Sequence, residues 1–227
     1  MDPKSAGSLK SKNVAGIILA AGEGKRIGRN KALLEIGGVR YLEIVTTCMC
    51  DAGCDPVIVV GGADGDRVRE EAVRLGIQFA LNSNWQNGQF SSLKSGMSAL
   101  PRAEGSKMIG GRRAETVDER GAGTQIAGAL VALVDHPFVK KETYRILVGT
   151  FRRFPGRIVI PTHQDRRGHP VVIPGEVITE ILDSPDGMTL RDVMRKRDNL
   201  VLEQAVDDTG VLKDIDTETD QDGARQS

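Results

Sequence analysis

Much of what reactive sites usually draw on is scarce in this chain. Three histidines, three cysteines, one tryptophan and two tyrosines are spread over 227 residues, and neither sign of charge prevails, with 31 Lys+Arg against 31 Asp+Glu. Zero net charge argues against a broad basic footprint for nucleic acid. No apolar run approaches the ~20 residues of a membrane-spanning helix, so no membrane partner is expected. Residues 1–12 lack an apolar signal core and read as a solvated tail, which makes the cytoplasm the expected location. The cysteines cluster as Cys48, Cys50 and Cys54, with no histidine near enough in sequence to complete a zinc site. Cys48 falls on a helical apolar stripe with Tyr41, Val45, Met49 and Ala52. The three thiols therefore read as small core hydrophobes in a reducing compartment.

What is present is rhythm. VAGIILA (14–20), DPVIVVGG (55–62), IQFAL (77–81) and GALVALVD (128–135) read as strands. Between and after them, segments of helical period begin at Arg40, Asp64, Gln89 and Lys140. Asp64 is a plausible cap for the second helix, and Gly53 and Gly76 stop the first two. RIVIP and PVVIP form a β-pair around a turn. EVITEILDS and MTLRDVMRKR are helical, and NLVLEQAV and VLKDID read as closing β-segments. Strand–helix alternation with near-continuous Val/Ile/Leu strands predicts a mostly parallel sheet covered by helices on both faces. Residues 13–217 are expected to form one domain, with a mobile insertion at 101–125 and a frayed tail at 218–227.

Five constellations carry chemistry. LAAGEGKRIGRNK (19–31) follows the first strand, where parallel sheets bind ligands. Its glycines let backbone N–H groups approach phosphate, and its basic side chains add charge. The spacing Gly22-x-Gly24-x-x-x-Gly28 is neither the dinucleotide pattern nor a Walker loop. A glycine-rich basic surface turn has the same look, so the loop alone does not decide. Asp135 ends the apolar strand VALVD on the same sheet edge and suits a hard cation, or else caps a turn before Pro137. Asp214 and Asp216, two apart, would share a face of a strand and complete a metal site, unless they are solvated acids of a terminus. Gly88, Ser91 and Ser92 open a helix whose free N–H groups and hydroxyls suit a base or a sugar, as would any capped helix start. Arg166, Arg167, Gly168 and His169 form a turn that could receive an anionic acceptor, although a histidine before proline often serves structure.

Together these residues resemble the MobA-like nucleotidyltransferases, and within them the molybdenum cofactor cytidylyltransferases. The family pattern L-A-A-G-x-S/G-x-R-x-G-x-x-K is matched in full from Leu19 to Lys31. LLEIGG follows it. The family's Asn…Trp…Gly…Ser-Ser-Leu…Gly run stands at Asn82 to Gly96, its G-D-Q/M-P motif as Val134-Asp135-His136-Pro137, altered on both flanks of the aspartate, and R-R-G-H-P-V at Arg166 to Val171. The terminal D-I-D-T-P-E-D stands as Asp214 to Asp220 without its proline. The resemblance implies a Rossmann-like, GT-A-type, three-layer α/β/α fold. It implies Mg²⁺-dependent transfer of CMP from CTP to a phosphorylated acceptor such as molybdopterin, with pyrophosphate leaving. It leaves room for a protein partner that receives the product.

Residue by residue, the resemblance assigns Leu19, Ala20, Ala21, Gly22, Glu23, Gly24, Lys25, Arg26 and Lys31 to the triphosphate, and Gly88 and Ser92 to base or ribose. Arg26, Lys31 and Asp135 become catalytic. Asp135 and Asp214 become the metal ligands, with Asp216 as fallback, and Arg167, Gly168 and His169 the acceptor site. Ala20-Ala21-Gly22 matches the cytidylyl branch. GTP, or a sugar or alcohol phosphate as acceptor, is the alternative within the class. Outside it stand a nucleotide-binding regulatory module without turnover and a dinucleotide-binding oxidoreductase domain, the latter disfavoured by the glycine spacing.

Overall fold

A computed structural model describes residues 13–24, 30–101 and 126–215. Lys25, Arg26 and Gly28, nearly all of the expected insertion, Asp216 and both expected tails lie outside the described residues. The strands are β1 (Asn13–Leu19), β2 (Glu35–Ile36), β3 (Val39–Arg40), β4 (Cys54–Gly61), β5 (Gln78–Leu81), β6 (Ile126–Leu133), β7 (Ile158–His163), β8 (Arg166–Arg167), β9 (Val171–Pro174) and β10 (Val201–Ala205). The helices are α1 (Tyr41–Asp51), α2 (Gly65–Leu75), α3 (Gln89–Ser98), α4 (Lys141–Arg153), α5 (Gly175–Asp183) and α6 (Leu190–Lys196).

The main sheet runs in the order β10-β7-β9-β6-β1-β4-β5, with β8 paired to β7 and β2–β3 a separate hairpin. The pairs β1–β4, β1–β6, β4–β5 and β10–β7 are parallel, and β9 runs antiparallel to β6 and β7. Side chains alternate across a strand, so each apolar strand feeds two cores. Val14 and Ile18 of β1 join Tyr41, Val45, Val68, Leu147 and Phe151 on one face, while Ala15, Ile17 and Leu19 join Phe90, Leu93, Ile178, Ile181 and Val193 on the other. The result is the expected three-layer α/β/α arrangement. Gly96 lets α3 sit close to the sheet, since a Cβ there would stand 2.7 Å from Ile17 Cγ2.

Four local expectations need correction. Asp64 occupies the first cap of α2 in a left-handed conformation (φ 55°) and makes no side-chain cap bond. Cys48 and Cys54 are buried, and burial pushes their thiols up to about 11 and about 12, but Cys50 is exposed. The VLKDID segment does not form a strand. Its first two residues, Val211 and Leu212, end a 3₁₀ turn over Thr209–Leu212 that the buried Asp208 caps, accepting from Gly210 N at 2.9 Å. The other oxygen of Asp208 accepts from Lys140 N (2.8 Å) and Thr143 Oγ1 (2.6 Å), so a distant helix start decides this local structure. Asp214 is therefore not on a strand, and its expected companion Asp216 lies outside the described residues.

Candidate active site

After β1 the chain moves to β4 and β5 on one side, then returns to place β6 on the other side of β1. The crevice above β1 and β6 is thus the point where strand order reverses, the place where open α/β sheets bind ligands. Leu19 and Leu133 end these strands as register partners. The chain leaving β1 is held on both flanks. Ala20 N donates to Val60 O at 3.0 Å, Val134 N to Leu19 O at 3.2 Å, and Ala63 N to Ala21 O at 3.1 Å.

A cavity of about 700 Å³ opens there, within the size range of small-molecule sites. Leu19, Ala20, Ala21, Gly22, Glu23 and Gly24 line one wall. Gly88 and Ser92, at the start of α3, line another with Trp85 and Gln89, and Lys31 and Asp135 close a third side. The structure therefore gathers every described residue assigned to the nucleotide. Lys25 and Arg26 lie outside the described residues. Lys31 Nζ stands 3.0 Å from Asp135 Oδ2, although 104 positions separate them in sequence. Their side chains are 18% and 25% exposed, so water screens the pair and its worth to stability is small. Its geometry joins a cation and a carboxylate at the switch point.

Two buried asparagines support this arrangement, and the sequence did not single out either role. Asn30 donates to Ala63 O (3.0 Å) and Ala20 O (3.4 Å), and accepts from Ala32 N (3.0 Å). It ties the exit of β1, the β4–α2 turn and the short helix carrying Lys31 into one unit. Asn30→Ala would leave buried polar groups unpaired, at ~1–3 kcal/mol. A lowered melting temperature is expected, with a smaller nucleotide-induced thermal shift. An unaltered nucleotide shift would confine Asn30 to stability. Asn82 Nδ2 donates to Ser91 Oγ (2.8 Å) and Ser92 Oγ (3.0 Å), while its oxygen accepts from Asn84 N (2.9 Å). A serine oxygen that accepts from an amide keeps its own proton to give, and Ser92 lines the cavity. An asparagine seven residues before a helix carries no local pattern by which this contact could be read.

The three residues assigned to the acceptor separate. Arg167 Nε donates to Glu203 Oε1 on β10 at 2.7 Å, its guanidinium lies 3.8 Å from Asp198, and it lines neither this cavity nor its neighbour. Gly168 is a packing position: its N–H donates to Pro161 O at 2.9 Å, and a Cβ would stand 2.2 Å from Val211 O. His169 lines an adjoining cavity of about 210 Å³ and meets the His136 ring edge-on, centroids 5.7 Å apart. The Nδ1 atoms of both rings are buried without a hydrogen-bond partner. Burial, then the neighbouring His136, lowers the His169 pKa to about 4, with Asp135 opposing.

Between pH ~6.5 and ~4 the unfolded chain binds this proton and the folded chain does not. The contribution of His169 is thus intact above pH ~6.5 and falls away on acidification, by ~2 kcal/mol at pH 5. The urea midpoint of His169→Gln should consequently drop less between pH 7 and pH 5 than that of the wild type. Equal drops would place the acid sensitivity elsewhere.

The resemblance seen in the sequence implies a divalent cation. Among the described residues no group of three or more His, Cys, Asp or Glu is placed to hold one. Mg²⁺ is commonly held by one or two carboxylates together with substrate phosphates, so a sparse oxygen set fits. Asp135 presents one carboxylate at the cavity. Ile215 N donates to Asp135 O at 3.0 Å, which stitches the terminal segment to the end of β6; the preceding Asp214 is exposed and lines neither this cavity nor its neighbour.

A phosphate-type loop, a paired lysine and aspartate, and a helix start around a switch-point cavity define a nucleotide-handling α/β enzyme. The model of the MobA-like NTP transferase domain matches residues 16–201, and the chain belongs to that family. It is a nucleotidyltransferase-type enzyme. A relative named nicotine blue oxidoreductase, from Paenarthrobacter nicotinovorans, is 30% identical over 213 residues, 90% of this chain and 92% of the relative. Two solved structures share the fold. Rv0371c from Mycobacterium tuberculosis H37Rv, in complex with manganese, has TM-score 0.69 at 21% identity, covering 95% of this chain and 99% of that one. A nucleotidyl transferase from Methanothermobacter thermautotroptrophicus has TM-score 0.71 at 20% identity, covering 94% and 96%.

Proposed function

We propose that the chain transfers CMP from CTP to a phosphorylated small-molecule acceptor, with molybdopterin as the acceptor that the sequence motifs favour. The observation that carries this reading is the Lys31–Asp135 pair at the β1/β6 switch point, facing the loop Leu19–Gly24 across one cavity. A phosphate oxygen of the acceptor attacks the α-phosphorus of CTP. The bond from that phosphorus to the bridging oxygen breaks, and pyrophosphate leaves with the electron pair.

A phosphomonoester is already largely anionic near neutral pH, so no strong general base is needed. What is needed is alignment and neutralisation of crowded charge. The loop N–H groups cradle the triphosphate, Lys31 supplies a cation, and Ser92 offers a donor toward base or ribose. Asp135 and Asp214 would hold Mg²⁺, which supplies Lewis-acid stabilisation of phosphoryl charge when bound. Ala20 and Ala21 are buried residues of that loop and line the cavity, and the Ala-Ala-Gly sequence favours CTP over GTP.

A second reading is oxidoreduction, carried by the name of the 30%-identical relative; the glycine spacing counts against it. A thermal-shift panel of CTP, GTP, ATP and UTP with and without Mg²⁺, together with NADH, separates the two. A ligand that binds the native state raises the melting temperature by mass action. The largest rise is expected for CTP with Mg²⁺. A shift with NADH and none with CTP or GTP would overturn the transferase reading.

A further inference from the structure

Residues 208–215 line neither cavity, yet they are bonded to Asp135, which does line the larger one. The segment starts at the buried Asp208. Its Oδ2 accepts from Lys140 N (2.8 Å) and Thr143 Oγ1 (2.6 Å), and its Oδ1 from Gly210 N (2.9 Å). Lys140 Nζ adds a bond to Asp207 O at 2.9 Å. The segment thus hangs from the start of α4. From there it reaches two loops. Val211 O accepts from His169 N at 2.9 Å. Gly210 presses against the chain leaving β6, where a Cβ would collide with Phe138 O and Val139 N. Lys213 N donates to Gly210 O at 3.2 Å, and the buried Ile215 donates its N–H to Asp135 O at 3.0 Å. The chain after β6 is therefore gripped at the Asp135 carbonyl and again at Phe138.

We propose that Asp208 is a positioning residue: it touches no substrate, and it sets the Asp135 carboxylate by anchoring the segment that holds the Asp135 backbone. The inference rests on the nucleotidyl-transfer reading, in which Asp135 recruits the cation. Lys31 Nζ fixes the carboxylate at 3.0 Å, and Ile215 fixes the backbone behind it. A misplacement of ~1 Å that starts far from the reacting atoms can cost ~10²-fold in rate. Asp208 is well suited to prevent one. Its partners come from the start of α4 and from the segment itself, so the segment cannot shift without leaving buried donors unpaired. Asp208→Asn keeps the shape of the side chain but turns one acceptor into a donor. Either Gly210 N or the start of α4 then faces an N–H, and the anchor opens. Thr143→Val removes one donor and leaves the Lys140 and Gly210 bonds to Asp208 in place.

Calorimetry of CTP binding to the full chain, with and without Mg²⁺, tests the proposal. Mg²⁺ should tighten CTP binding to the wild type by about tenfold or more. In Asp208→Asn that gain should fall to about twofold or less, while the affinity without Mg²⁺ stays within about twofold of the wild type. Thr143→Val should keep the gain, although it also loses a buried bond. A merely structural role would lower the melting temperature of both variants and leave the Mg²⁺ gain intact in both, which would overturn the proposal. Hydrogen exchange on the wild type needs no variant and decides the matter if Asp208→Asn does not fold. Coupling is reciprocal, so CTP with Mg²⁺ should slow the amides of Gly210, Lys213 and Ile215 more than those of the edge strand β10. Equal slowing in the two segments, or none, would overturn the proposal while CTP binding stands. A wild type whose melting temperature no nucleoside triphosphate raises would overturn the nucleotide reading, and this proposal with it.

Discussion

Asp135→Asn is expected to lower pyrophosphate release from CTP by about 10³-fold, ~4 kcal/mol of transition-state stabilisation, while leaving the fold intact. The substitution keeps the shape of the side chain and an oxygen that can still accept from Lys31, so it isolates the loss of negative charge. On the proposed reading the site would concentrate phosphate charge from two substrates in one crevice, and the aspartate is the group that would recruit a compensating cation. Steady-state pyrophosphate release with CTP, Mg²⁺ and molybdopterin measures the effect, and the melting temperature controls for folding. Unchanged turnover would remove Asp135 from the reaction. Ile215 N donates to the backbone oxygen of Asp135 rather than to its carboxylate, so the terminal segment should stay docked in the variant.

Gly168→Ala is expected to cost stability heavily, about 3 kcal/mol or more. The added methyl would lie 2.2 Å from Val211 O and 2.9 Å from Val211 Cβ, so backbone would have to move. Val211 also accepts from His169 N, and the chain from Val211 runs on to Ile215 at Asp135. Displacing it should therefore reduce activity as well as stability. Gly149→Ala is the control: it lies within α4 with nothing within 4 Å of the new methyl, and alanine is the better helix former by up to ~1 kcal/mol. Urea unfolding of both variants checks the contrast. Comparable midpoints would mean that the chain around Val211 yields easily and that Gly168 is not held there by packing.

The sequence by itself determined the architecture and singled out most of the residues that line the larger cavity. Apolar runs of strand length, alternating with helical periods and stopped by glycines, leave few ways to bury the side chains other than between two helical layers. The stretch Leu19–Lys31 and the Gly88–Ser92 helix start are continuous in sequence, so their chemistry could be read locally. Where local signals compete with distant partners, only the tertiary structure decided. VLKDID has the composition of a strand, yet Asp208 bonds to the start of α4 and turns the chain before it can pair. Arg166 to His169 read as one acceptor motif. In space, Arg167 is drawn to Glu203, Gly168 is pressed against Val211, and His169 is turned to the smaller chamber. Asn30 and Asn82 act through partners that no spacing rule relates to them. The second chamber likewise arises where α3, β6, the His169 turn and the entry to α6 converge. Its walls are far apart in sequence, and ordinary core residues line a cavity only where packing leaves them a space to face.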